Sequence, residues 1–420
     1  AFIVYFIAVL TIGLFFFFKS KGTGEKDYFL GGRSMGPWVT ALSAQASDMS
    51  GWLLMGFPGS ILAFGMGQVW IGIGLALGTA ANWIFVARRL RKFSQAANDA
   101  ITVPQYLSNR FLTKSPALQI ICAIVFLVFF TVYVASSFVA GQKVFIQVVP
   151  QLESNPNLAL LIFAAIIIVY TFLGGFKAVC WTDFFQGLMM LAALLAVPIV
   201  LVMAKDIDYS VFETVEGGVN PLNPFSASWQ DIASGLAWGL GYFGMPHIIV
   251  RFMAIEKPSM VKKSATVAII WVVLALGAVV VMAILGRMIV GPELLESGSQ
   301  SLVFVKMAQK YFPPFIAGIL MAAIIAASMS TADSQLLVAS SSFTSDLYKP
   351  LIRKNKASDK ETLWVGRIVV LIVAIIGSVV CGILECFGLN TGVVGGVLAI
   401  IPMLFMVRFV IWQIIRKINR

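Results

Sequence analysis

Residues 43–52 read Ser-Ala-Gln-Ala-Ser-Asp-Met-Ser-Gly-Trp and lie inside an apolar run from Pro37 to Phe64. A carboxylate, Asp48, therefore falls near the middle of a stretch long enough to cross a bilayer, and Pro58-Gly59 follow further on. A spanning segment needs about 20 mostly apolar residues. A charge within one is costly enough that function is its default reading. A second stretch shares the oddity: residues 235–247, GLAWGLGYFGMPH, place four glycines and a proline inside another apolar run. Glycine packing alone accounts for some such runs, because membrane helices use small residues to approach closely. The two segments, however, are the second and seventh of the chain's apolar stretches. Paired interrupted helices at matching places in two five-helix halves mark inverted-repeat secondary transporters.

The remaining sequence agrees. Of 420 residues, 59% are hydrophobic and 12% charged, against about 25% charged in an ordinary soluble domain. Soluble enzymes, nucleic-acid binders and disordered scaffolds are excluded on that count. Eleven stretches have spanning character: Phe2–Phe18, Pro37–Phe64, Gln68–Val86, Leu118–Gly141, Leu158–Leu173, Phe184–Ala204, Ser234–Phe252, Ser264–Met288, Phe315–Ser342, Leu363–Leu384 and Thr391–Ile415. They are too long and evenly apolar for barrel strands, so the expected fold is an all-α polytopic bundle. Its core would be five-plus-five inverted repeats over residues 34–204 and 233–415, preceded by an extra helix over 1–18.

The net charge of +11 reflects topology. With the first end outside, the inner loops and tail carry 24 Lys and Arg, Arg251 counted among them, against five outside. That asymmetry sets the amino terminus outside and the carboxyl terminus in the cytoplasm. The four cysteines show no CxxC spacing, and the single histidine, His247, excludes a multi-histidine metal site. There is no GxxxxGK[ST] phosphate loop and no nucleophile–base pair. The expected protein is thus a transporter drawing on an ion gradient or on a separate motor chain rather than an enzyme. The chain begins within an apolar run, so its natural start is expected upstream.

An unwound helix at Asp48 exposes the carbonyls of Ala46 and Met49, and hard cations such as Na+ prefer oxygen ligands. In the ninth stretch, Ala327, Ser330 and Thr331 fall at i, i+3 and i+4 on one helix face. Two hydroxyls and a carbonyl there, opposite two carbonyls of the second stretch, make a five-oxygen Na+ cage. Asp333, with Ser334 beside it, adds a further intramembrane carboxylate. Asp183, at the inner start of the sixth stretch, is another, and together they form a possible second cation or proton site. The alternatives are a helix cap at Asp183 and a hydrogen-bonded structural role at Asp333.

DYFLGGRSMGPWVTALSAQASDMSGWLLMG, FTVYVASSFVAG, WTD, WGLGYFGMPHIIVRFMA and MSTADSQLLVASSSFTSDLYK resemble the sodium/solute symporter family, over roughly Asp27 to Arg367. The resemblance implies two inverted five-helix repeats and Na+ on Ala46, Met49, Ala327, Ser330 and Thr331. It implies that Asp48 and Arg33 serve ion coupling and that the bilayer is a bacterial plasma membrane. It further implies L-proline as the solute, contacted by Ser50, Gly51, Trp52, Tyr133, Trp238, Tyr242 and Pro246. Other family cargos (pantothenate, a sugar, an organic acid) are the alternatives, with an uncoupled channel or solute sensor behind them. Met245 and Asp333 stand where glutamine and serine are more usual. The family has about thirteen helices against eleven here, so about two helices past Glu385 are expected to be missing.

Overall fold

A computed structural model describes residues 1–19, 24–113, 115–203, 207 and 222–386. Among these the chain is helical, with one isolated bridge between Met35 and Ile255. The eleventh stretch, Thr391–Ile415, lies outside the described residues, as does most of the loop from Lys205 to Asp231.

The apolar helix α1, Phe2–Lys19, precedes a short α2, Glu25–Leu30, which stops at Gly31 in the left-handed conformation. The second stretch is broken: α3, Pro37–Met49, ends where Ser50 adopts φ 51° and ψ −176°, and the chain resumes as α4, Gly56–Phe64. The third stretch is α5, Val69–Ala81, continuing through a wider turn into α6, Arg88–Ala96. A short α7, Val103–Arg110, leads to the long α8, Ala117–Val148. Next, α9 runs over Pro156–Leu201, and Gly175 at φ 61°, ψ −158° interrupts it. Forty-six residues would extend about 69 Å as one straight helix, twice the bilayer core. The break at Gly175 thus separates the fifth and sixth stretches. Asp183 consequently sits two turns inside the sixth span rather than capping its start.

The seventh stretch is broken as well: α10, Trp229–Ala237, passes through a tight 3-10 segment at Trp238–Phe243 into α11, Pro246–Ala254. After it come α12, Val261–Glu296, the short α13, Val303–Tyr311, α14, Pro314–Phe343, and α15, Asp359–Cys386. Seven of the described helices are long and apolar enough to span. Dividing α9 and adding the two broken helices reproduces the first ten stretches read from sequence.

Close backbone approach fixes the second break. A Cβ on Gly78 of α5 would lie 2.2 Å from the Gly239 carbonyl oxygen, and one on Gly74 2.4 Å from that of Gly235. The glycines of 235–247 are thus a packing surface for α5, and they also let the segment bend. On α1, a Cβ at Gly13 would lie 2.7 Å from the Tyr170 Cβ, so the amino-terminal helix is pressed onto the first half of α9.

The two broken helices are joined on the side where α3 starts and α11 ends. Met35 N donates to Ala254 O, and Glu256 N to Met35 O, both at 3.1 Å. The last carbonyls of α11 would otherwise lack partners. Arg33 takes that of Met253, while Arg91 takes those of Ile255 and Glu256. Arg251, in contrast, is not a loop charge. It lies on α11 at 2% exposure and belongs to the core.

Gly78→Ala should lower thermal stability by about 1–3 kcal/mol, the usual range for overpacking. Gly277→Ala, with nothing within 4 Å of the added Cβ, should leave it unchanged or raise it. Heat denaturation of the two purified variants, followed by gel filtration, checks the contrast.

Candidate functional site

Where α3 stops at Met49, its final carbonyls lose their helical partners, and α14 supplies replacements. Ser330 Oγ lies 2.8 Å from Ala46 O and 3.1 Å from Ala327 O. Thr331 Oγ1 lies 3.0 Å from Ser47 O and 3.1 Å from Ala327 O. Ala46, Ser47, Ala327, Ser330 and Thr331 are all buried. Ser47 thus contributes a carbonyl that the sequence reading missed. The signal was available, because every one of the last four carbonyls of a helix is left free. Met49 closes the helix with its side chain buried, and the Ser330 and Thr331 hydroxyls meet residues 46 and 47 instead. The cluster offers three carbonyl oxygens to two hydroxyl protons. Such an acceptor-rich set of neutral oxygens suits a hard monovalent cation.

Beyond the break, Ser50 Oγ accepts from Trp52 N at 3.1 Å and so shapes the turn. Gly51 faces α14 so closely that an added Cβ would meet Ser328 Oγ at 2.7 Å. The Trp52 indole stacks between Phe57 and Trp238, with ring centroids 5.0 and 5.4 Å away. Asp48 pairs with the Tyr242 hydroxyl, and Tyr133 lies within electrostatic reach of both. Asn82 Nδ2 donates to Tyr242 O at 2.8 Å, which anchors the second broken helix to the turn after α5. Pro246 is the first residue of α11, where its missing N–H costs nothing. Ser50, Gly51, Trp52, Trp238 and Tyr242 are thus gathered where the two broken helices face each other, with Tyr133 alongside and Pro246 starting the helix below. The face is aromatic and polar, with free helix ends.

Asp183 and Ser334 meet each other through Arg251. Its Nη2 donates to Asp183 Oδ2 at 2.7 Å and to Ser334 Oγ at 2.6 Å, and its Nε to Ser43 Oγ at 2.6 Å. Asp183 and Asp333 are both 0% exposed. Asp333 accepts from the Tyr170 hydroxyl at 2.6 Å and from Ser334 Oγ at 3.0 Å. Gln186 donates to the Tyr5 hydroxyl at 2.7 Å, tying α1 to α9 beside this network. The capping alternative for Asp183 is therefore incorrect, and its partner is a guanidinium that the sequence reading placed in a loop.

Arg33 lies apart from these groups. It donates to Asp99 at 2.9 Å, Ser94 at 3.1 Å, Ala100 O at 2.8 Å and Met253 O at 2.6 Å. From Pro37 to Asp48 the helix rises about 17 Å, so Arg33 can influence Asp48 only through the backbone it clamps. Partial burial raises the Asp99 carboxyl, but Lys26 and Arg33 outweigh it and hold that group below its usual range. The clamp is thus ionised at neutral pH.

The sodium:solute symporter family matches residues 28–413. Sodium/proline symporters of Staphylococcus aureus, in strains JH9 and NCTC 8325, are 44% identical over 383 residues, covering 89% of this chain and 73% of theirs. A Na+-coupled sialic acid symporter, solved substrate-bound and outward-open, superimposes with TM-score 0.76 at 20% identity, over 94% of this chain and 84% of its own. MhsT in complex with L-phenylalanine gives 0.54 at 16% identity, over 81% and 78%. These likenesses show the fold: a five-plus-five inverted-repeat core with two discontinuous helices and an additional amino-terminal helix.

Tyr170→Phe keeps the ring but leaves a buried oxygen of Asp333 without its donor. It should cost about 1–3 kcal/mol, read as a lowered denaturation midpoint of the purified protein.

Proposed function

The chain belongs to the sodium:solute symporter family, and from that premise we propose that it imports L-proline with Na+ across a bacterial plasma membrane by alternating access. Its family and named relatives are transporters. The observation that carries the reading is the junction of α3 and α14, where Ser330 and Thr331 meet the terminal carbonyls of a helix broken at Ser50. Ala46, Ala327, Ser330 and Thr331, with Ser47 or Met49 as the remaining carbonyl, hold the co-transported Na+. The cation replaces hydroxyl–carbonyl hydrogen bonds and pins α3 to α14.

Proline is a compact zwitterion with an apolar ring. The N–H groups of the unwound Ser50–Gly51 turn and the positive end of the following helix receive its carboxylate. Trp52, Trp238 and Tyr133 enclose the ring, while Asp48 and Tyr242 face the ammonium. Pro246 starts the half-helix that closes the pocket on the inner side. Because α3 bears both the cation's carbonyls and the turn at Ser50–Gly51, occupation of one site organises the other, and the coupling is reciprocal. Arg33 clamps the inner ends of both broken helices, so it couples ion binding to opening on that side. The first repeat spans residues 34–204 and the second 233–415, and the basic inner loops keep the amino terminus outside and the carboxyl terminus in the cytoplasm.

Radiolabelled proline uptake into proteoliposomes tests the reading, with an inward Na+ gradient and a matched K+ control. Concentrative uptake should require Na+, and equal uptake in K+ would sink the coupling. Ser330→Ala and Thr331→Ala should each raise the Na+ concentration for half-maximal uptake about tenfold or more, the size expected from losing one ligand contact of about 1–2 kcal/mol. Trp238→Ala should weaken proline binding by a similar factor with little change in Na+ dependence. Unaltered proline affinity would remove Trp238 from the pocket.

A further inference from the structure

One turn below the proposed Na+ cage, α14 carries a second set of inward oxygens: Ser334 Oγ and the Asp333 carboxylate, faced by Asp183 of α9. A carboxylate pair and a hydroxyl at this depth form an attractive cation site. The two sets are physically linked, since Ser334 Oγ lies 2.8 Å from the Ser330 carbonyl while the Ser330 hydroxyl reaches Ala46.

The place a cation would take is already filled. A single guanidinium nitrogen, Nη2 of Arg251, lies 2.7 Å from Asp183 Oδ2 and 2.6 Å from Ser334 Oγ. The rest of the fork is spent inward as well, Nε on Ser43 at 2.6 Å and Nη1 on the His247 carbonyl. Phe176 covers the group, its ring centroid 5.8 Å from the guanidinium carbon. The cavity beside it, lined by His247, Arg251, Ser334 and Ser341, measures about 20 Å³. That volume holds one water molecule. Arginine keeps its charge at all pH values a cell meets, and its planar fork holds carboxylate and hydroxyl partners in fixed geometry.

We infer that Arg251 is a tethered cation occupying a second cation site formed by Asp183 and Ser334, beside Asp333. The inference rests on the reading of the Ala46–Thr331 cluster as the Na+ cage. In this arrangement the inner carboxylate is neutralised permanently, and α11 stays attached to α9 and α14 whether or not Na+ is bound. A side chain does for this site what a dissolved ion does for the first.

Equilibrium binding of radiolabelled Na+ to the purified protein tests the idea without any transport readout. The wild type should bind one Na+ per chain. Arg251→Gln, which keeps hydrogen-bonding ability but removes the charge, should bind two. Adding Asp183→Asn to that variant should return the count to one. An unchanged count in Arg251→Gln would overturn the inference. A wild type that binds none would instead overturn the cage reading, while an increment of one ion in Arg251→Gln still reads out the second site. If Arg251→Gln is recovered folded only when Na+ is present, the vacated site is taking the ion and the inference stands. If it cannot be recovered in any salt, the double variant decides. Its recovery as a monodisperse protein assigns the arginine to neutralising Asp183. Loss of both variants would reduce Arg251 to a packing element and overturn the proposal.

Discussion

A helix cannot simply stop inside hydrocarbon, because each free backbone carbonyl there costs several kcal/mol. Much of this structure follows from how that constraint is met where α3 ends. Ser50 turns the chain, and the carbonyls of Ala46 and Ser47 are taken up by Ser330 and Thr331 of α14. The partners are neutral hydroxyls, which rotate at little cost, so the same oxygens can turn to a cation. A charged cap would have satisfied the helix end more firmly and left no place for an ion. The break is thus stable without being rigid, and it lies beside the turn that presents Gly51 and Trp52.

The half of the bundle where α3 starts and α11 ends is held differently. Removing one partner of a buried ion pair costs about 3–5 kcal/mol, so the Arg251–Asp183 contact between α11 and α9 is far harder to open than a hydroxyl–carbonyl contact. Arg33 and Arg91 add to it by taking the last carbonyls on and beyond α11. Firm ionic joints on one side of the broken helices and adaptable neutral joints at their middle give a natural division of labour.

Glycine and aromatic residues complete the division. Gly74 and Gly78 let α5 touch the backbone of Gly235 and Gly239, which fixes the second broken helix by contact rather than by hydrogen bonds. The Trp52–Trp238 stack crosses from one broken helix to the other.

The first ten spans, the two interrupted helices and the inward face of Ala327, Ser330 and Thr331 were legible in the sequence, because hydrocarbon imposes length and apolarity and because helical spacing fixes which residues share a face. Asp48 marked the broken helix, since a carboxylate in an apolar run is costly unless it works or is paired. The choice of Ser47 over Met49 as hydroxyl partner was not, for it depends on the rotation of α14 about its axis. Nor was the role of Arg251. By sequence it stands at the end of an apolar run, where a basic residue ordinarily marks a loop. Only the fold brings Asp183, 68 positions away, and Ser334, 83 positions away, to its guanidinium. Local chemistry names the charged groups, but which of them neutralise one another is a property of distances that no spacing rule contains.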